Sequence, residues 1–391
     1  MERNILIVGA GPVGLSLALA LCRQGIAVTV FEKELQLSDE MRASTFHAAS
    51  MEYMEKWGVL DDVLKQGHKV DHLQFWDRGQ KKIVGDFDYQ VIADDTKYPF
   101  RLQCPQNIYA QTLLNQLRKE PLATIQMGHA FLNCEQNSES VTAKFQTDDG
   151  EQSYKGFLLC GADGANSAVR RHLDFSFDGM TYEDRFLLVG TNLDLDKYYP
   201  GIASVNYIYD PEEWVIVLKL NQMLRVVFQV HDDQVAEEEL DESRIRARMK
   251  GFIGEEVDFP ILHKSIYRVH QRVADSFRRN RCLLLGDAAH INNPASGMGM
   301  NSGILDAACL SLKIIEYMRS GKDIHLDEYS DERRNYALDK IKNYTKERYQ
   351  DLSAKSNRYR EKRNSRMLAM SKSPELSREY LLKASMLDER I

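Results

Sequence analysis

Three segments carry residues whose types and spacing could do chemistry. The first is GAGPVG, Gly9 to Gly14. Gly9 permits a tight turn, Gly11 lets backbone approach a pyrophosphate, and Gly14 lets a helix pack closely on a strand. The helix that follows turns free N–H groups and a positive dipole end toward phosphate. Glu32, eighteen residues past Gly14, is near the spacing expected of a carboxylate that binds a ribose hydroxyl. The second segment is GADGANSAVR, residues 161–170. Its small residues around Asp163 and Gly164 let backbone come close to a ligand, although an Asp-Gly turn alone is a common feature. The third is GDAAHINNPASGMGMNSGILD, residues 286–306. Asp287 could accept hydrogen bonds from sugar-like hydroxyls. Gly297 and Gly299 precede a helix expected from about Asn301, whose free N–H groups suit the electron-rich edge of a ring. Two glycine-rich turns at opposite ends of a chain imply one long cofactor gripped at both ends, a shape that fits FAD better than NAD.

The elements that must position these residues follow from apolar patterning. Residues 4–8 predict a buried parallel strand, 12–24 a helix stopped by Gly25, and 27–31 a second strand, together one βαβ unit. Helices are expected over 50–57, 60–66 and 111–118. Residues 132–147 predict a hairpin turning near Asn137, followed by a second turn at 148–150. Residues 157–160 and 282–285 read as further buried strands leading into the second and third segments. Between them, 186–194, 204–209, 213–220 and 225–230 are β-rich, and with 70–84 they suggest a separate sheet. Residues 237–252 and 303–318 predict helices. The fold class expected is α/β: a Rossmann-like FAD-binding domain (1–70, 100–175 and 275–330) with an inserted β-sheet-rich substrate domain (71–99 and 176–274), and C-terminal helices over 331–391.

Bulk properties narrow the function. A net charge of −7 disfavours general nucleic-acid binding, which needs a basic face. The six cysteines are scattered with no CxxC, so neither a metal site nor a disulfide framework is indicated, and reduced thiols in the cytoplasm are the simplest reading. Residues 5–22 carry no charge and could pass for a membrane span, but the Gly9, Gly11, Pro12 and Gly14 cluster in their middle argues for strand, turn and helix. The basic cluster of Lys355, Arg358, Arg360, Lys362, Arg363 and Arg366 reads as a solvated helix face or subunit contact, and amphipathic C-terminal helices would suit a homodimer.

The three segments, in this order and spacing, resemble the FAD-dependent aromatic hydroxylases of the p-hydroxybenzoate hydroxylase and phenol hydroxylase type. The resemblance runs from Met1 to about Arg334, where LDEYSDERR is similar to the family's closing helix. It implies that Gly9, Gly11, Pro12, Val13, Gly14, Glu32 and Lys33 hold the adenosine half of FAD. It implies that Arg42 contacts the middle of the cofactor and that Gln106 lies near the ribityl chain. Asp163, with Gly164, matches an aspartate that serves both FAD and the nicotinamide cofactor, and Asp287 matches the ribityl-binding aspartate. Pro294, with Gly297, Gly299, Met300 and Asn301, matches the loop lining the flavin ring and substrate. The implied activity is hydroxylation of a small aromatic or heteroaromatic compound with O2 and NADH or NADPH, through a flavin 4a-hydroperoxide. No protein nucleophile or metal is needed, since the cofactor carries the hard chemistry.

Other residues invite a catalytic reading. His290 directly follows the Gly-Asp pair, but the resemblance makes that position structural. His47 lies in a segment that approaches the flavin in the family and is a candidate substrate or flavin contact. Tyr207, Tyr209, Arg225, Phe228 and His231 belong to the sheet that should cover the flavin, and Arg225 is the best candidate partner for an acidic substrate. The carboxylate-binding pattern of p-hydroxybenzoate hydroxylase is not reproduced, so a benzoate is not indicated. Two alternatives keep the fold: an epoxidase or antibiotic- or quinone-modifying monooxygenase, and a non-catalytic FAD-binding sensor. Halogenation is disfavoured by the lack of a GWGW-like segment.

Overall fold

The computed structural model describes residues 3–39 and 43–389. Its first sheet follows from short, wholly apolar runs. Ile5–Val8, Val28–Phe31, Leu158–Gly161 and Cys282–Leu284 are buried along their entire lengths. Such runs suit parallel strands covered on both faces. They pair in parallel in the order 282–284, 158–161, 5–8, 28–31, with Ala123–Gln126 parallel at one edge and Arg278–Arg279 antiparallel at the other. The 123–126 strand carries no apolar run and was not expected from the sequence.

Helix Pro12–Cys22 begins with proline, which is tolerated there because the first helical N–H has no partner anyway. It lies between helices Gln106–Leu117 and Gly299–Ser320 and is buried from Gly14 to Cys22. This explains its lack of charge: the helix is interior rather than amphipathic. Leu15, Leu17, Leu19 and Leu21 are fully buried, each contributing roughly 2 kcal/mol by transfer from water. No helix among the described residues is long and apolar enough to cross a membrane.

The predicted hairpin forms from Ala130–Gln136 and Val141–Thr147 and gains a third strand, Gly150–Gly156. The Asn137 side chain accepts the N–H groups of Glu139 and Ser140 at the turn, a local bond that sets the reversal. Two helices start earlier than expected. The one predicted from 111 begins at Gln106, after Pro105, and the one predicted from 303 begins at Gly299.

The β-rich segments join in an eight-stranded sheet. Phe177–Thr191 pairs antiparallel with both Leu224–Val230 and His263–Ala274. Val205–Tyr209 runs parallel to His72–Asp77, bringing the 72–88 hairpin onto the same sheet. His263–Ala274 escaped the sequence reading because its residues (HKSIYRVHQRVA) are mostly polar and only half buried. Alternation splits this sheet's side chains between two cores. Val226, Phe228 and Val230 pack under helix Glu242–Ile253, whereas Val227 and Tyr207 face the rest of the molecule.

Helices Ile324–Asn335, Lys342–Leu352, Asn357–Lys372 and Pro374–Ala384 follow, with a π-helical turn at Tyr336–Ile341. They wrap back onto the large sheet. The reading of the basic cluster as a solvated face therefore fails at Arg363, which is buried over the Tyr209 ring and donates to the Asp351 carbonyl at 2.5 Å. Met367 and Leu381 join the chain's own core, so these two side chains are already covered without a second copy. All six cysteines are buried free thiols.

Candidate active site

All three glycine-bearing segments leave the carboxyl ends of adjacent strands. Val8 is opposite Gly161, and Gly161 is opposite Leu284. Ligands of open α/β sheets bind outside this edge. The segments also pack on one another through glycine. A Cβ on Gly9 would lie 2.4 Å from the Ala162 carbonyl oxygen, and one on Gly14 would lie 2.1 Å from the Gly9 carbonyl oxygen. Val13 is the peg between first and third segments: a Cβ on Gly303 would sit 2.5 Å from its Cγ2, and one on Gly286 3.1 Å from it.

Gly11, Gly164 and Gly299 behave differently, since a Cβ on any of them would meet nothing within 4 Å. These positions border open space, as a cradle for a cofactor requires. Helices Pro12–Cys22 and Gly299–Ser320 start beside two of them without a side-chain cap, leaving first-turn N–H groups for a ligand. Asp287 and Pro294 are exposed between buried neighbours (Gly286 and Ala288, Asn293 and Ala295), so both project from otherwise packed backbone. Glycine backbone, uncapped helix ends and a projecting carboxylate fit a dinucleotide with a hydroxylated linker.

The other candidates divide by how their polar atoms are spent. Glu32 accepts the Ala10 N–H at 2.9 Å and the Glu34 N–H at 3.2 Å, and its remaining lone pairs are open to ribose hydroxyls. Lys33 turns outward and pairs with Glu34 at 3.3 Å. Asp163 accepts from the Ser167 hydroxyl at 2.5 Å and from the N–H groups of Ala168 and Val169 at 2.7 and 3.1 Å. Its carboxylate thus holds the start of the next helix, beside Gly164 at φ +78°. Gln106 accepts the Ala43 N–H at 3.3 Å, holding the chain next to the segment that contains Arg42, which lies outside the described residues.

The loop expected to line the ring is held by Asn301. Its Nδ2 donates to the carbonyls of Thr45 and Gly297, both at 2.7 Å, and its Oδ1 accepts the His47 N–H at 2.9 Å. The side chain of Asn301 is therefore spent on scaffold. His47 is fully buried at the start of helix Ala48–Trp57. Gly297, at φ +66°, has Thr45 3.0 Å from where its Cβ would stand, while Met300 packs partly buried against the core. Thr45 in turn accepts from Gln103 Nε2 at 3.0 Å.

A buried ionic lock fixes the third segment from behind. Asp306 accepts from His290 Nε2 at 2.8 Å, Arg333 Nε at 2.7 Å and the Gly286 N–H at 3.0 Å. Burial alone would raise the Asp306 carboxyl, but His290 and Arg333 outweigh it and bring it to about 2. His290 is accordingly a structural partner of this carboxylate.

Residues 2–343 match the family described as FAD binding domain. The chain belongs to that family. Para-nitrophenol 4-monooxygenase of Pseudomonas sp. (strain WBC-3) is 32% identical over 342 residues, covering 86% of this chain and 84% of that protein. 6-Hydroxy-3-succinoylpyridine 3-monooxygenase of Pseudomonas putida (strain DSM 28022 / S16) is 30% identical over 356 residues, covering 87% and 86%. The crystal structure of p-nitrophenol 4-monooxygenase from Pseudomonas putida DLL-E4 superimposes with a TM-score of 0.89 at 29% identity, over 98% of this chain and 99% of that one. The resemblance to FAD-dependent aromatic hydroxylases therefore holds, and the chain is a flavoprotein enzyme.

In this flavoprotein the inner face of the large sheet carries Tyr207, Tyr209 and Arg225. Phe228, one of the candidates, instead faces helix Glu242–Ile253, and His231 pairs with Asp184 at 3.1 Å. Arg225 is buried, which lowers its guanidinium to about 10, with Tyr267 opposing the shift. Residues absent from the sequence reading pack beside them: Arg348 lies near the Phe75, Tyr207, Tyr344 and Tyr380 rings, Arg101 lies over Tyr89, and Gln103 bonds Thr45. Alternation over 101–103 pairs Arg101 with Gln103 on one face, a signal present in the sequence. Nothing local marks Arg348 among the many charges around it.

Proposed function

We propose that the chain is a single-component monooxygenase that hydroxylates a small hydroxyl-bearing aromatic or heteroaromatic compound, using O2 and NADH or NADPH. The carrying observation is the convergence of Gly11, Gly164 and Gly299, with projecting Asp287 and Pro294, at the carboxyl edge of one sheet. On this reading the six-stranded sheet belongs to the FAD-binding domain, and the eight-stranded sheet to the substrate domain. FAD, when bound, would supply the redox chemistry of a hydroxylation that consumes O2 and a reduced nicotinamide cofactor.

The chain's own residues bind, orient and exclude water. First-turn N–H groups of helix Pro12–Cys22 hold pyrophosphate, and Glu32 and Asp287 accept from the sugar-like hydroxyls. The turn at Gly297 and the uncapped start of helix Gly299–Ser320 would hold the ring edge, with Asn301 and Thr45 keeping them in register. Tyr207, Phe75 and the C-terminal helices cover the ring's surroundings with aromatic surface, which keeps water from the reactive centre.

The test is a panel of phenols, hydroxybenzoates, indoles and hydroxypyridines given to FAD-loaded protein with each nicotinamide cofactor. A product heavier by one oxygen, formed with little peroxide, is the expected result. Cofactor oxidation that no compound stimulates, despite bound FAD, would overturn the reading.

A further inference from the structure

Cys134 and Cys282 are 148 positions apart in the chain, yet their Sγ atoms lie within 4.0 Å of each other. Cys134 is on strand Ala130–Gln136 of the three-stranded sheet, and Cys282 opens strand Cys282–Leu284 of the six-stranded one. Side chains pin the two strands together beside the pair. Gln136 Oε1 accepts the Arg281 N–H at 2.9 Å, and Arg281 Nε donates to the Asn137 carbonyl at 3.2 Å. On the Cys134 side, the His172 ring nitrogen Nε2 lies 3.1 Å from the Cys134 backbone nitrogen and 3.0 Å from its carbonyl oxygen. Both thiols are therefore held near each other by groups other than themselves.

The two cysteines are not equivalent. Cys134 keeps 7% of its surface exposed, whereas Cys282 is 0% exposed behind it. The Cys282 thiol has two acceptors in reach, Cys134 Sγ and, at 3.6 Å, Gln136 Oε1. Its hydrogen bond holds the Cys134 thiol below the ordinary range, while the same contact and burial push Cys282 up. Cys134 is thus the sulfur that ionises and meets a small solute first. Cys160, on the adjacent strand, pairs with Leu283 while Cys282 pairs with Leu159, so these two side chains leave opposite faces of the sheet. Cys22 is nearly as exposed as Cys134, at 5%, but burial pushes its thiol to about 12.

We propose that Cys134 and Cys282 form an oxidisable dithiol, which hydrogen peroxide converts to a disulfide that tethers the three-stranded sheet to the strand leading into Gly286 and Asp287. The Cys134 thiolate attacks one peroxide oxygen, the O–O bond breaks and hydroxide leaves, making Cys134 a sulfenic acid. Cys282 Sγ then attacks the Cys134 sulfur, the S–O bond breaks, and the hydroxyl departs as water with the Cys282 proton. The hydroxide takes up the proton that Cys134 released on ionising. Two thiols and one peroxide give one disulfide and two waters. The sulfurs must close from 4.0 Å to about 2.05 Å, and rotation about the Cα–Cβ bonds supplies such a movement. A tether that closes so long a loop restricts the unfolded chain. Peroxide is what O2 becomes on taking two electrons without passing oxygen to a ring, so an enzyme of the proposed kind meets it at close quarters. The dithiol does not rest on that reading, because added peroxide needs no turnover.

The test treats FAD-loaded protein, freed of reductant, with a few equivalents of hydrogen peroxide, then alkylates it under denaturing conditions and digests it. Two of the six free thiols should be lost, with a peptide joining Cys134 to Cys282 and lighter by two hydrogens. Fragmentation separates Cys282 from Cys309, which no lysine or arginine divides from it before Lys313. Cys22 should stay a thiol, and dithiothreitol should restore both lost ones. The oxidised protein should keep its FAD and melt about 5 °C higher than the reduced form. Cys134→Ser should retain all its thiols through the same treatment and show no rise, and Cys134→Ala serves if the serine variant folds poorly. Six thiols remaining in wild type, sulfinic or sulfonic acids in place of the cross-link, or a disulfide joining other cysteines would overturn the assignment. A cross-linked protein that melts no higher would refute the tether.

Discussion

At Gly9 and Gly14 backbone packs on backbone and a side chain would be in the way, while Gly11 between them borders open space. On the inner face of the large sheet, side chains such as Phe75, Tyr207 and Arg348 make the contacts with one another and the backbone is only a frame. The two regions respond differently to change. A cradle made of backbone tolerates no added atom where segments touch, because a Cβ on Gly14 would overlap the Gly9 carbonyl. A face made of side chains can exchange one ring for another and alter its ligand without losing the fold. A scaffold shared by enzymes that act on different rings suits this division.

Substitutions can break or sharpen that contrast. The largest effect is expected at Asp306→Asn, which leaves His290 and Arg333 buried around a neutral amide. The loss of a buried ionic partner should destabilise by roughly 3–5 kcal/mol, read by denaturant unfolding, and bound FAD should fall with it. The pH dependence has a definite sign. Asp306 is depressed to about 2 in the folded protein, so its stabilisation is present above the unfolded carboxyl range near about 4 and is lost as pH falls toward 2, an effect of roughly 2 kcal/mol. The variant should show a correspondingly flatter acid limb.

Gly14→Ala should come next, costing roughly 3 kcal/mol by overpacking and releasing FAD, as measured by flavin absorbance per protein. Retained FAD at full occupancy would refute the view of the cradle as closely packed backbone. Tyr349→Phe tests the other region. It removes the hydroxyl that donates to Asp184, linking helix Lys342–Leu352 to strand Phe177–Thr191. A loss of about 1 kcal/mol is expected, with FAD occupancy intact and substrate affinity altered; FAD loss would show that the two regions are not separable. Asp287→Ala should be smallest in stability, within about 0.5 kcal/mol because the residue is exposed. It should nevertheless weaken FAD binding about tenfold in a cofactor titration, the loss expected of a charge-assisted hydrogen bond.

The cradle was legible in the sequence for the reason it resists substitution. Turns, open glycine positions and helix starts are set within a few residues, so GAGPVG and GDAAH declare themselves. Asp163 shows where such reading stops: the residue was found, but its carboxylate holds the neighbouring helix start through Ser167, Ala168 and Val169. His263–Ala274 was missed because a half-buried strand between polar loops lacks an apolar run. The strand of Phe228 was legible but not which of its faces turns inward, and Phe228 points to the opposite core, since a shift of one residue in register exchanges the two faces of a strand.

By itself, the sequence determined the cofactor, the α/β class and the carboxyl edge at which the cofactor would lie. Each of those rests on contiguous residues whose backbone preferences are local. Tertiary structure alone decided that Arg101 and Arg348, far apart along the chain, share one buried set of tyrosines, and that Arg363 is interior rather than solvated. Those outcomes depend on strand register and on how the last helices fold back over the sheet. Both are governed by long-range packing, in which no short segment carries the information.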